Sequence, residues 1–284
     1  MARLSAEAEL QRLLQHKLPA VKTAGSRFSP VAGLTGESWR IESADGVVLL
    51  ARQQGAEKAA LGVNRRREAC VLRRSAGALG PRPLAQDRRW LVVEWLDGAS
   101  VRPQAFERYR QGGELAALIA ALHRRPRSGY RLNLPAQYLR YWQQLDRRRI
   151  TPAWLRLQRY FLRTPPPRPL KLAPLHMDIH PENLIEQQTR LRLIDWEYAG
   201  DGDVALELAA LFRFNQWSAA AQWEFLQQYA GQGYREPAAL SRQVRRWLPW
   251  VDYLMLMWFE VRWQQSGDAQ FLRCAAALRR RFCL

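Results

Sequence analysis

Apolar and polar positions change rhythm along this chain near residue 96. Before that point short alternating runs, "SWRIES", "VVLLAR" and "RRWLVVEWLDG", are separated by turn residues, with Asp45 and Gly46 as the clearest hairpin signal. They predict a small antiparallel sheet. "EKAALGVNRRREACVLRRS" has helical spacing and sets Ala69, Leu72 and Ala76 on one face, so one helix is expected among the strands. The opening "MARLSAEAELQRLLQ" carries acids where a signal peptide needs an apolar centre, and it reads as a helix of the mature fold. From Arg102 onward the period becomes helical: "QAFERYRQGGELAALIAALHRR", "AQYLRYWQQLDRRR", "AWLRLQRYFLR", "DVALELAALFRF" and "AAQWEFLQQYAG" follow one another. A tryptophan-rich stretch spans residues 247–263, where helical spacing predicts core packing. The expected class is α+β, with a β-rich unit over residues 1–96 and a mainly helical unit over residues 97–284.

Composition sharpens this picture modestly. With 284 residues and 48% hydrophobic positions, the chain can bury a sizeable core. Its longest apolar run, "YLMLMWFEV", is too short to span a bilayer. Cys70, Cys274 and Cys283 are odd in number and lack metal-ligand spacing, which fits a reducing, cytoplasmic location. The formal net charge of +18 points to polyanionic ligands without choosing among them. Its arginines come in short bursts along the whole length, without the pattern of an RNA-recognition sheet or a zinc finger, so solvated faces are expected and nucleic acid is not.

The acids are concentrated in one place. Residues 178–207 hold eight, at positions 178, 182, 186, 195, 197, 201, 203 and 207, against two arginines. The stretch "LHMDIHPENLIEQQTRLRLIDWE" reads as a loop followed by a hairpin. If residues 187–190 hold the turn, centred near Thr189, Leu184 faces Ile194 and the next pair outward is Asn183 and Asp195. Opposed residues lie about 4.5–5.5 Å apart at Cα. Asn183 and Asp195 therefore offer oxygens to one hard cation such as magnesium, which takes the rest of its shell from water and phosphate. Asp178 is placed to reach a substrate hydroxyl.

"HMDIHPENL" followed by "LIDWE" resembles the catalytic loop and metal-binding aspartate of protein-kinase-like enzymes. Tryptophan and glutamate after the second aspartate resemble the aminoglycoside phosphotransferase and choline kinase branch, whose members phosphorylate small molecules. The resemblance implies a bilobal kinase-like fold, ATP as co-substrate, Mg2+ on Asn183 and Asp195, and Asp178 as catalytic base. It extends more weakly to the N-terminal part. "GLTGESWRIE" looks like the loop covering the nucleotide, implicating Gly33, Thr35 and Gly36. "VVLLAR" resembles the strand bearing the phosphate-binding lysine, with Arg52 in its place and Lys58 as a rival; Glu68 would be its acidic partner. "LVVEWLDG" resembles the connector that hydrogen-bonds adenine, implicating Glu94 and Leu96. His176 is expected to brace the loop, His123 to pack within or cap its helix and Asp203 to cap one, while His180 is a minor candidate for approaching the phosphates.

"RLIDWEYAGDGDVALELAAL" looks most like the run found in bacterial thiamine kinases, implying a primary alcohol on a cationic thiazolium as acceptor. Trp196, Glu197, Tyr198 and Asp201 are the acceptor-binding candidates, since aromatic faces beside carboxylates suit a cation. Choline or another amino alcohol, an aminoglycoside, and a catalytically silent nucleic-acid-binding module are the alternatives. The expected assembly is a monomer that binds ATP and thiamine and no membrane.

Overall fold

The computed structural model describes residues 2–31, 38–187, 190–234 and 236–284. The alternating runs form one five-stranded antiparallel sheet: β1 (Arg27–Pro30), β2 (Ser38–Glu42), β3 (Val48–Gln53), β4 (Pro83–Gln86) and β5 (Trp90–Glu94). Their order is β1-β2-β3-β5-β4. Two-residue periodicity divides β3 between two environments. Leu49 and Ala51 join a small core with Trp39, Ile41, Trp90 and Val92, which the helix α1 (Ala2–Lys17) closes with Leu10, Leu13 and Leu14. Leu50 packs on the opposite side against the larger core, and Arg52 shares its parity. Glu9 ties α1 to the sheet by accepting from Trp90 Nε1 at 3.0 Å.

The helix expected between the strands is broken. Gly62 adopts a φ of +84°, and Asn64 caps a new start by accepting from the Arg67 amide. The result is α2 (Ala56–Ala60), α3 (Arg65–Val71) and a π-helical turn (Leu72–Ala76). Ala69, Leu72 and Ala76 are all buried, as their spacing predicts. "QAFERYRQGGELAALIAALHRR" is broken too, into α4 (Pro103–Gly112) and α5 (Glu114–His123), because Gly113 takes a φ of +92° that only glycine adopts without strain.

The connector after β5 docks on a hairpin of β7 (Leu184–Gln187) and β8 (Arg190–Leu193), with the Val101 amide donating to Leu184 O at 2.9 Å. A second pair, β6 (Leu172–Leu175) with β9 (Gly200–Asp203), flanks that hairpin in sequence. Helices α6 (Leu134–Trp142), α7 (Pro152–Arg163), α8 (Val204–Phe214), α9 (Ala219–Gly231), α10 (Pro237–Ser266) and α11 (Ala269–Arg281) complete the fold. Residues 204–212 of α8 are buried on every side, so it forms the axis of the larger core. Trp247 and Trp250 of the tryptophan stretch are core, as expected. This is an α+β fold, with an antiparallel sheet in its N-terminal region and mainly helices thereafter. No described helix is long and apolar enough to cross a membrane.

Candidate active site

The segment from β6 to the start of β7 carries Asp178 and Asn183. Met177 adopts a φ of +69°, a conformation that needs external support in a non-glycine residue. Glu207 of α8 supplies it by accepting from the His176 amide at 2.6 Å and the Met177 amide at 2.8 Å. Burial opposes the Glu207 charge, but the hydrogen bonds and the nearby His123 and His176 hold its carboxyl below the usual range. His176 donates from Nε2 to Ile194 O at 2.9 Å, bracing the loop against the strand end that leads to Asp195. Burial pushes the His176 pKa down and keeps the ring neutral in that role. His123 packs as expected, with Nδ1 at 2.6 Å from Tyr229 Oη.

Asn183 gives its side-chain N–H groups to Asp178, at 2.9 Å to the backbone oxygen and 2.9 Å to Oδ2. That turns Asn183 Oδ1 away from Asp178, and His180 Nε2 stands 3.7 Å from Asp178 Oδ1. The hairpin register differs from the one expected. Leu184 pairs with Leu193 and Gln187 with Arg190. Asn183 therefore stands opposite Ile194, whose amide donates to Asn183 O at 3.0 Å, and not opposite Asp195. Asp195 is turned by a left-handed φ of +61° one residue later. Asp178, Asn183 and Asp195 line one cavity of about 1240 Å³.

Arg52 spans from the sheet to this cavity's edge. It donates to Glu68 Oε1 at 2.6 Å, to Glu197 Oε2 at 2.9 Å and to Asp195 Oδ1. Burial disfavours the guanidinium charge, but Asp195, Glu68 and Glu197 outweigh it and raise its pKa above the ordinary arginine value. Burial likewise works against the Asp195 charge, and Arg52, Lys58 and Arg65 reverse this, holding its carboxyl well below the usual range. Lys58 binds Glu197 Oε1 at 2.7 Å, and Arg65 joins Glu68 and Glu197 at 2.6 and 3.2 Å. The Arg52 and Glu68 pairing that sequence resemblance implies is thus present, inside a larger network that also contains the rival Lys58.

The acceptor candidates separate. Tyr198 lines the cavity and its hydroxyl accepts from Trp258 Nε1 at 3.0 Å. Glu197, only 4% exposed, serves as counterion to Arg52, Lys58 and Arg65. Trp196 is turned into the core and donates to Leu193 O at 2.8 Å. Asp201 clamps the loop after α5, accepting from the Ser128 amide and hydroxyl and from the Gly129 amide. Trp196 and Asp201 do not line the cavity, since the chain reverses after Asp195 and buries both. Asp203 caps α8 and also accepts from Trp247 Nε1 at 2.7 Å. The acid-rich segment is therefore mostly neutralised in place by donors from elsewhere in a basic chain, and it is not a free anionic funnel for a cation.

Sequence reading missed several cavity residues. Trp258 and Met255 reach it from α10, and Asp252 does so held by Arg213 at 2.6 Å and Arg281 at 2.6 Å. Glu207 was legible in principle, as a lone acid on the otherwise apolar "VALELAALF". Glu94 uses its side chain on Arg82 at 3.1 Å, and Leu96 is buried at the connector. Gly33, Thr35 and Gly36 lie outside the described residues.

Residues 29–242 match the model of the phosphotransferase enzyme family, APH. The chain belongs to that family. Its relatives include the thiamine kinase of Escherichia coli O139:H28 (strain E24377A / ETEC), 41% identical over 259 residues that cover 88% of this chain and 89% of the relative. The thiamine kinase of Escherichia coli (strain K12) is 45% identical over 199 residues, 69% of each chain. Among solved structures the fold resembles choline kinase LicA from Streptococcus pneumoniae, with a TM-score of 0.73 at 17% identity, covering 97% of this chain and 99% of that one. An ethanolamine kinase of Plasmodium vivax gives 0.72 at 15% identity, covering 97% and 87%.

Proposed function

We propose that this phosphotransferase moves the γ-phosphoryl group of ATP to the primary alcohol of thiamine, yielding thiamine monophosphate and ADP. One observation carries the choice of acceptor: identity of 41% with a thiamine kinase over nearly the whole of both chains. The cavity geometry is compatible with the chemistry. Asp178 accepts the hydroxyl proton while the alcohol oxygen forms its bond to the γ-phosphorus and the bond to the β-phosphate oxygen breaks, releasing ADP. Asn183 Oδ1 and the Asp195 carboxylate form a hard-oxygen pair of the kind magnesium takes, and they would hold it; when bound, the ion neutralises charge on the transferring phosphates. Arg52, Glu68 and Glu197 support that centre from the sheet side, with Arg52 near the phosphates.

We assign the nucleotide base to the backbone of Glu94 and Leu96, the phosphates to Gly33, Thr35 and Gly36, and the acceptor ring to the wall of Tyr198 and Trp258. In this reading residues 1–96 hold the nucleotide and residues 97–284 hold the acceptor, in a cytoplasmic monomer. ADP release measured with thiamine, choline, ethanolamine or an aminoglycoside supplied singly tests the reading. Thiamine should drive release, and a chain that responds to the other alcohols but not to thiamine would refute it.

A further inference from the structure

A second concavity adjoins the catalytic cavity at Arg131 but is lined by none of Asp178, Asn183 and Asp195. It measures about 350 Å³ and is lined by Arg74, Arg127, Gly129, Arg131, Leu172 and Asp201. Three guanidiniums face one carboxylate there, and that carboxylate is already committed to two amides and a hydroxyl, at 2.7–2.9 Å. Among the described residues no carboxylate stands within ion-pair distance of Arg74, Arg127 or Arg131. Some arginines of the fold are matched to acids, as Arg110 is to Glu107 and Glu224 at 2.6 Å each; what distinguishes these three is that they line one concavity.

The walls of the pocket are held before any ligand arrives. Arg74 belongs to the π-helical turn Leu72–Ala76, an irregularity that often accompanies a functional site. Its Nη1 donates to Ser128 O at 2.9 Å. The same turn is stitched to the loop carrying Arg127 and Arg131 by Ser75 Oγ to Pro126 O at 2.8 Å and by Arg125 Nε to Ser75 O at 3.2 Å. Gly129 keeps the space open. Its φ is +88°, and a Cβ there would stand 3.3 Å from Arg74 Nη1.

We propose that this pocket binds a phosphoryl dianion, free or as a phosphate monoester, on Arg74, Arg127 and Arg131. A phosphate monoester carries about −1.5 to −2 at neutral pH and accepts planar, paired N–H donors. That charge matches the pocket's excess of two positive charges, and Arg74, already held by Ser128 O, reduces the ordering cost of binding. The site is independent of the acceptor assigned above. Arg131 also lines the catalytic cavity, so Arg74 and Arg127 are the residues to change.

Calorimetric titration of the full chain, saturated with ADP and magnesium so that the nucleotide sites are filled, tests the assignment. Inorganic phosphate and glycerol 3-phosphate are the two probes, at constant ionic strength in chloride. One equivalent should bind, and Arg74→Ala and Arg127→Ala should each weaken it at least about tenfold, the worth of a lost charged hydrogen bond. Both arginines are exposed, so turnover should stay at the wild-type value; Arg127→Ala should also keep the wild-type melting temperature, and Arg74→Ala should lower it slightly through the lost bond to Ser128 O. A tighter monoester names the ester as the ligand, and equal affinities name the phosphoryl group alone. No binding up to about 10 mM, or binding that survives both substitutions, overturns the proposal.

Discussion

Arg52 donates directly to the Asp195 carboxylate, joining strand β3 to the left-handed residue after β8 across 143 positions of sequence. The guanidinium thus neutralises the same group that a magnesium ion would take, and Glu68 and Glu197 hold Arg52 in place while it does so. Asp195→Ala should abolish turnover yet leave the fold standing, because Arg52 keeps two carboxylate partners. Asn183→Ala should retain some turnover with a magnesium requirement raised about tenfold or more, the effect of losing one oxygen ligand. Magnesium titrations of both variants, with melting curves alongside, check this. Wild-type titration curves would remove both residues from the metal site.

Asp178 is half-buried and oriented by the Asn183 amide. Asp178→Asn keeps the shape but removes the proton acceptor, so turnover should fall by about 10²-fold or more with ATP affinity unchanged. Single-turnover phosphoryl transfer and equilibrium nucleotide binding separate the two effects. Turnover within about tenfold of wild type would take the role of base from this residue.

His180 should set a pH limb. Burial works against its charge, but the carboxylates of Asp178, 3.7 Å away, Glu182 and Asp195 raise its pKa above the ordinary 6.5. A raised histidine pKa means that its stabilising contribution is full below pH 6.5 and is lost as pH rises through the folded-state value. While protonated it also engages Asp178, so kcat/KM should climb as pH rises through that value. His180→Gln should flatten the limb in a pH profile; an unchanged profile would mean that His180 does not control the base.

Glu207 is a positioning residue. Glu207→Gln leaves one of the two loop amides without its acceptor, at a cost of about 1–3 kcal/mol. Its carboxyl pKa is depressed below the ordinary 4.5, so its stabilising effect is present above that value and is lost as pH falls through the folded-state value. Melting temperature measured against pH should show an acid-side decline in the wild type that is shallower in Glu207→Gln. Turnover should fall in the variant more than ATP binding does.

The motif residues and the alternating strands were legible because their spacing is set by local chemistry. The hairpin register was not, since a one-residue difference moved Asn183 from Asp195 to Ile194, although both residues still line one cavity. Nor was β9, whose sequence Gly-Asp-Gly-Asp has poor strand propensity and is held by pairing with β6. The helix breaks rest on the left-handed backbone of Gly62 and Gly113, which a single glycine in a helical pattern does not announce. Trp196 and Asp201 looked available to a ligand because burial is invisible in a motif, and Trp258 looked like core because one helix serves both core and cavity.

Product identity is the most direct measurement of the central claim. With ATP and magnesium, and thiamine and choline supplied together at equal concentration, mass spectrometry should find thiamine monophosphate accumulating in step with ADP, one for one, and choline left unchanged. Phosphocholine as the main product, with thiamine recovered intact, would contradict the account.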